Sequence, residues 1–389
     1  MNKESFLVTL KKNSMLIILV LVYLFFLALT KGGIFQPSSF TELINQNAYV
    51  YILGVGMLMC MLTGGNIDLS CGAFVCLLGA FGGMFMIVQG MGTGVSILLM
   101  ILIGVLYGVI LGFLIAYVNI PPWIATLAGF LAFRGLGTSI LSNNSTTGSL
   151  APFPVSFQNV FYGRVFPTEK GIFNLPCFIV GLLAAAAITL IIFLNRKNRI
   201  KKGYEADTIR TACIKSVVSD AAILLVMYKL AWDGGIPTTL LWVAGIVLVY
   251  SFITSKTTIG RHFYVVGGNM EAARLSGVNT RRIMFLAYLN MAVLTAIATF
   301  TVVARSQSAY ADVGKNFEMD AISACVVGGV SATGGAGSVL GMVIGATLIG
   351  IINLGMSLIS LDANYQRVVK GFVLLAAVVF DILSKKRER

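Results

Sequence analysis

The chain has little charge, a single histidine and no paired cysteine motif, and each shortage removes a class of function. Only 11% of its 389 residues are Asp, Glu, Lys or Arg, while 57% are hydrophobic and the mean hydropathy is +0.90. Soluble domains carry roughly a quarter charged residues, so this composition belongs to a polytopic membrane protein. His262 stands alone, and there is no HExxH and no GxSxG, which leaves a membrane-bound enzyme little to work with. There is no GxxxxGK(S/T) either, so the chain does not hydrolyse ATP by itself. Cys60, Cys71, Cys76, Cys177, Cys213 and Cys325 form no CxxC pair and no ligand spacing with His262. They read as small packing residues, with no disulfide and no metal expected.

What is abundant is apolar length. A bilayer core of about 30 Å takes roughly 20 apolar residues per helix, and residues 69–133 contain no charged residue over a length sufficient for three spans. Spans are expected at about 13–30, 43–63, 71–89, 95–118, 124–141, 171–194, 216–231, 238–255, 283–303, 339–358 and 368–383, with a short broken helix from 321 to 329. Asp220 and Lys229 make 216–231 the weakest of these. Residues 142–170, with Pro152, Pro154 and Pro167, read as an exterior polar loop, and the stretch after 303 with Arg305, Asp312, Lys315, Glu318 and Asp320 as another exterior one. No small-residue cleavage pattern follows the first run, so it is read as a span and not a signal peptide. The expected fold is an all-α polytopic membrane protein of about 12 membrane segments (10–12), some broken or re-entrant at Gly-rich breaks. It would form one transmembrane domain over 1–389, with a cytoplasmic loop at about 256–282.

The net charge of +13 could suggest a nucleic-acid partner, but the distribution argues otherwise. Nineteen of the 28 basic residues lie before the first span, in 196–215, in 256–282 and in 385–389. All four segments can share the cytoplasmic side, so positive-inside topology and anionic lipid account for the charge without nucleic acid.

The polar interruptions are the candidates for function. Residues 64–70 form a Gly-rich break that carries Asn66 and Asp68; at membrane depth Asp68 must face protein or water, or cap the next helix. Gly104, Gly108 and Gly112 share one helix face and favour a close helix neighbour. Asn119 to Trp123 make a sharp turn, and Arg134 is an intramembrane cation whose partner is not evident. A second Gly-rich stretch near Gly334 faintly resembles the first, which hints at two related halves.

The longest interruption is 257–282, TTIGRHFYVVGGNMEAARLSGVNTRR. It opens loosely at Gly260, Gly267 and Gly268. Asn269 as N-cap, Glu271 in the first turn and Gly277 at the end then punctuate a short helix. About two turns are marginal alone in water, so this helix needs a surface to lie on. A loop pinned to anionic lipid by Arg261, Arg274, Arg281 and Arg282 is the plainer reading.

Four ordered blocks carry a family resemblance: GGNIDLSCGAF at 64–74, PPWIATLAGFLAFRGL at 121–136, GRHFYVVGGNMEAARLSGV at 260–278 and EMDAISACVVGGVSATGGAGSVLGMVIGATLIG at 318–350. Together they resemble the permease subunit of bacterial ABC sugar importers of the ribose, xylose and galactose type, over nearly the whole chain. The resemblance implies a homodimer in the bacterial inner membrane with both termini cytoplasmic. It also implies a monosaccharide delivered by a periplasmic binding protein, and separate ABC ATPase subunits that hold ATP and magnesium; this chain would bind no cofactor. The extra helix pair between the basic loop and residues 257–282, here called the handle, suits the longer xylose or multiple-monosaccharide permeases.

For residues 257–282 the resemblance implies a coupling helix docked on the ATPase through Gly267, Gly268, Asn269, Glu271, Ala272, Ala273, Arg274 and Gly277. Glu271, Ala272, Ala273 and Gly277 match the EAA-x3-G core of the importer motif, while its downstream Leu-Pro is missing. Ala272 and Ala273 would then both present a small face to the ATPase. The sugar path is assigned to Asn66, Asp68, Asn119, Trp123 and Arg134. The competing reading is an ion-coupled secondary sugar carrier using Asp68, Arg134 and Asp220.

Overall fold

The computed structural model describes residues 14–206 and 208–386. The basic residues Lys3, Lys11 and Lys12, and the last three positions of the C-terminal tail, lie outside the described residues. Fifteen α-helices carry the fold among the described residues. The first five are α1 (Ser14–Leu29), α2 (Pro37–Leu62), α3 (Cys71–Gly83, continued by a π segment Met84–Val88), α4 (Thr93–Ala116) and α5 (Pro122–Asn144). A short α6 (Val155–Tyr162) precedes the pair α7 (Leu175–Lys201) and α8 (Ile209–Trp232). Next come α9 (Thr238–Lys256), α10 (Thr258–Gly268), α11 (Met270–Leu275) and α12 (Thr280–Ser306). The chain closes with α13 (Phe317–Val327), α14 (Val339–Leu358) and α15 (Ala363–Lys386). Among the described residues nine helices are long and apolar enough to cross a membrane, and α1 is a shorter apolar one. The protein is all-α and polytopic. Its only strands in the described residues are two antiparallel two-residue pairs, β1 (Ser149–Leu150) with β4 (Ala309–Tyr310) and β2 (Arg164–Val165) with β3 (Ile236–Pro237).

Helix α2 is the hub. From Val50 to Leu62 almost every side chain is buried, because α9, α12, α13 and α14 surround it. Small residues permit the close approach. A Cβ on Gly54 would sit 2.7 Å from the Met342 sulfur of α14, and one on Gly56 would sit 2.6 Å from the Met291 sulfur of α12. In lipid, where apolar burial gives no drive between helices, such close packing is what holds them together. The α4 glycines act in the same way. A Cβ on Gly108 would lie 3.0 Å from Ala292 and Leu289, and Gly104 and Gly112 face Ala296 and Phe285, so the glycine face seen in the sequence packs on α12.

Three expectations are corrected. The stretch 142–170 is more than a polar loop, since α6 inserts Phe157 and Phe161 beside Phe153 and Phe300 in a second core. The opening of 257–282 is not loose; α10 is an 11-residue helix that buries Phe263 and Val266 against the main core. Its three glycines conceal a face formed by residues three apart, and tertiary packing overrides their weak helix propensity. The segment at 216–231 is longer than expected, since α8 runs over 24 residues. Its charges are met locally: Asp220 accepts hydrogen bonds from Thr189 (2.6 Å) and Ser216 (3.1 Å), and the Lys229 ammonium lies 3.5 Å over the Phe35 ring.

Candidate functional site

The site is built where the handle meets the two glycine-rich breaks. Thr257 starts α10 by accepting from the Gly260 amide at 3.0 Å. Asn269, extended at φ −158°, starts α11 by accepting from the Ala272 amide at 2.9 Å, and Glu271 lies in the first turn as the helix dipole favours. Gly277 at φ 81° reverses the chain, a conformation that disfavours side chains with a Cβ. Asn279 then caps α12 through the Arg282 amide at 3.0 Å. Three caps in succession explain how six residues stand as a helix.

The two alanines do not share a face. Ala273 is 0% exposed and packs into the main core, whereas Ala272 is open. Consecutive helical residues are about 100° apart, so a six-residue helix lying on a surface cannot turn both outward. What α11 does present outward is Leu275, 85% exposed, with Glu271 and Arg274 beside it. A cleft of about 490 Å³ separates α11 from the end of α4 and is lined by Asn119, Met270, Glu271, Arg274, Arg281 and Met284 among others.

Break one, residues 64–70, and break two, residues 328–338, lie against each other beneath the handle: Gly334 packs on Gly64, and Gly65 on Ala332 and Thr333. In break one, Asn66 donates to the Thr63 carbonyl at 3.0 Å and reaches the Met284 sulfur of α12 at 3.7 Å. Asp68 is 1% exposed. Its Oδ1 accepts from the Ser70 amide at 2.8 Å and the Ser70 hydroxyl at 2.5 Å, and that hydroxyl pairs with Tyr107 at 2.6 Å. The carboxylate thus forms a turn that starts α3.

The five residues assigned to a path from sequence occupy different places. Asn66 and Asp68 share break one. Asn119, at φ 63°, lines the cleft beside α11. Trp123 is 58% exposed on α5. Arg134 donates to the carbonyls of Ala311 and Val313, both at 2.8 Å. Both of these hydrogen-bond partners are backbone oxygens, so removing the guanidinium strands two carbonyl dipoles.

Sequence reasoning missed the buried acids of α13. Glu318 is 4% exposed; its Oε2 makes no hydrogen bond among the described residues and lies over Gly72, where a Cβ would collide with it. Two residues on, Asp320 accepts from Tyr49 at 2.5 Å and pairs with Lys370 at 3.0 Å, and Tyr49 stacks on Phe317 with ring centroids 3.6 Å apart. The sequence placed Glu318 and Asp320 in an exterior stretch. The signal was present: acids at helix positions N2 and N4 directly before an apolar run mark a helix entering the core.

The far ends of the helices are clasped by charge. Asp233 pairs with Arg164 at 2.8 Å and Lys170 at 3.7 Å, and Arg305 pairs with Glu42. Burial pushes the Asp233 carboxyl up, but the Arg164 hydrogen bond and the two cations outweigh it and hold it below the usual carboxylate range.

A family model described as the permease component of branched-chain amino acid transport systems matches residues 39–378. The chain is 33% identical over 380 residues to the xylose transport system permease protein of Haemophilus influenzae, covering 98% of each. It is 32% identical over 374 residues to that of Escherichia coli, covering 96% of this chain and 92% of the other. It is also 32% identical over 346 residues to the ribose import permease protein of Bacillus subtilis, covering 89% and 85%. No solved structure matches.

Proposed function

The chain belongs to this family of transport permease components, and from that premise we propose that it is the membrane subunit of an ATP-driven importer for a monosaccharide, a pentose such as xylose first among them. The observation that supports the handle's part in this is the geometry of α11, a helix capped at both ends that holds out Leu275 at 85% exposure among charged neighbours. A leucine so placed leaves apolar surface in water at about 25 cal/mol per Å², which a partner's groove would recover. On this reading the handle's face is cytoplasmic, both termini lie on that side of the bacterial inner membrane, and an ABC ATPase carrying ATP and magnesium docks over Leu275, Ala272, Glu271 and Arg274. A periplasmic sugar-binding protein would meet the opposite face, and two copies of the chain would enclose the path.

ATP-driven closure of the ATPase moves the handle and shifts the permease between inward-facing and outward-facing arrangements. Asn66 and Asp68 of break one stand on the proposed path, and Glu318 joins them as a group able to accept from sugar hydroxyls. Trp123 and Asn119 would join through a second copy or a rearranged state.

Leu275→Asp tests the docking. The permease should insert in its usual amount, while co-purified ATPase and sugar-stimulated hydrolysis in the reconstituted complex fall at least about tenfold, the loss expected when one interface anchor is removed. Unchanged coupling would return the handle to a lipid-pinned loop. One observation favours the ion-coupled carrier instead: the partnerless buried oxygen of Glu318. Uptake that stops when ATP is depleted but survives collapse of the ion gradients discards that alternative.

A further inference from the structure

The end of α10, break one and break two approach one another backbone on backbone. The Leu62 carbonyl, at the last residue of α2, is the meeting point. It accepts a hydrogen bond from the Gly335 amide at 3.2 Å. A Cβ on Gly267 would collide with the same oxygen and lie 2.6 Å from the Gly335 nitrogen. A Cβ on Gly335 would sit 2.7 Å from the Gly268 nitrogen, and one on Gly334 would sit 2.5 Å from the nitrogen and Cα of Gly64. Gly65 closes the set, since a Cβ there would collide with the Ala332 carbonyl. Gly65, Gly334 and Gly335 have positive φ as well, so the turns and the contacts require glycine together.

We propose that Gly65, Gly267, Gly334 and Gly335 are positioning residues that lock the handle to both breaks as one rigid unit. A displacement of α11 then reaches the breaks directly, and not only through the flanking helices α9 and α12. The inference rests on the coupling reading above. Its physical basis is the absence of slack. Side chains between two segments can absorb a shift by changing rotamer, but backbone atoms in contact cannot, and close-packed interiors transmit strain. Break one leads from this junction to Asp68 and α3. Break two joins α13, with Glu318 and Asp320, to α14.

The test uses the full complex of permease, ATPase and binding protein in vesicles, with D-xylose as the probe sugar. Gly334→Ala and Gly335→Ala, both outside the docking face, should still assemble with the ATPase and keep basal hydrolysis within about twofold, but sugar moved per ATP should fall at least about tenfold. Gly245→Ala, which meets nothing within 4 Å, should behave as the parent. Hydrogen exchange on the unmodified complex guards against variants that do not assemble. The Gly335 amide should stay protected both with and without a non-hydrolysable ATP analogue, because the junction moves as a body. Parental sugar-to-ATP ratios in both variants, or loss of Gly335 protection in either nucleotide state, overturn the proposal. Failure of the ATPase to co-purify with the parent chain would instead bring down the coupling reading beneath it.

Discussion

The two ends of the bundle are held together by opposite means. At the handle, segments touch through glycine backbones and through Ala273, with no ion pair in the junction among the described residues. At the far end, loops are clasped by Arg164 and Lys170 on Asp233, by Arg305 on Glu42, and by Arg134 on two carbonyls. A backbone junction resists added volume and ignores pH. A charged clasp tolerates shape change and responds to protonation. The contrast suits the proposed function, in which a push arrives at one face and the other rearranges.

The largest effect should come from filling the tight end. Ala273→Arg places a charge and a long side chain at a position with 0% exposure, and should lower stability by on the order of 4 kcal/mol or more. Folded permease should nearly vanish from membranes on a solubilised-fraction assay, while Ala272→Arg should leave its amount unchanged. Equal amounts of both variants would mean that α11 is not seated as described.

The clasped end should lose less. Arg134→Leu strands the Ala311 and Val313 carbonyls at about 1–3 kcal/mol each. The thermal midpoint in detergent should drop by several degrees, and Arg134→Lys should recover part of it. No change in either variant would show that the loop does not need the guanidinium.

Asp233 gives the pH signature. Its folded-state carboxyl lies below the ordinary range, so its stabilisation is complete above the unfolded value of about 3.9 and is lost as pH falls through the folded one. A thermal series from pH 6 to pH 3 should show the parent losing stability, and Asp233→Asn should lose less over that window from a lower start. Arg164→Ala should cost on the order of 2 kcal/mol at neutral pH, below the range for fully buried pairs because the guanidinium is 26% exposed. A parent curve flat down to pH 3 would remove the charged clasp from the comparison.

Asp68→Asn, between the two ends, should perturb stability least. The amide oxygen can accept the same Ser70 bonds, so assembly should be normal. Loss of uptake with the complex intact would give the carboxylate a role beyond the turn that begins α3.

Much of this was legible along the chain. Composition and run lengths identified an all-α polytopic membrane protein; Asn269 and Gly277 marked the short helix; and the α4 glycines announced a packed face, although not that α12 fills it. These signals are local, since caps, turns and helical faces are set by neighbours within a few residues. The order of α10 was hidden because its glycines mask the Phe263 and Val266 face until α2 is beside it.

What only the tertiary structure decided is which residues meet. Arg134 bonds to carbonyls up to 179 residues away, and Tyr49 meets Asp320 across 271. The same holds for the alanines of α11: adjacent and chemically identical, they are separated into buried and open by the surface on which the helix rests. Glycine shows the division most clearly. By itself it states only that a turn or a close approach is permitted, and the Leu62 carbonyl that three segments share comes into being only when α2, α10 and break two have packed.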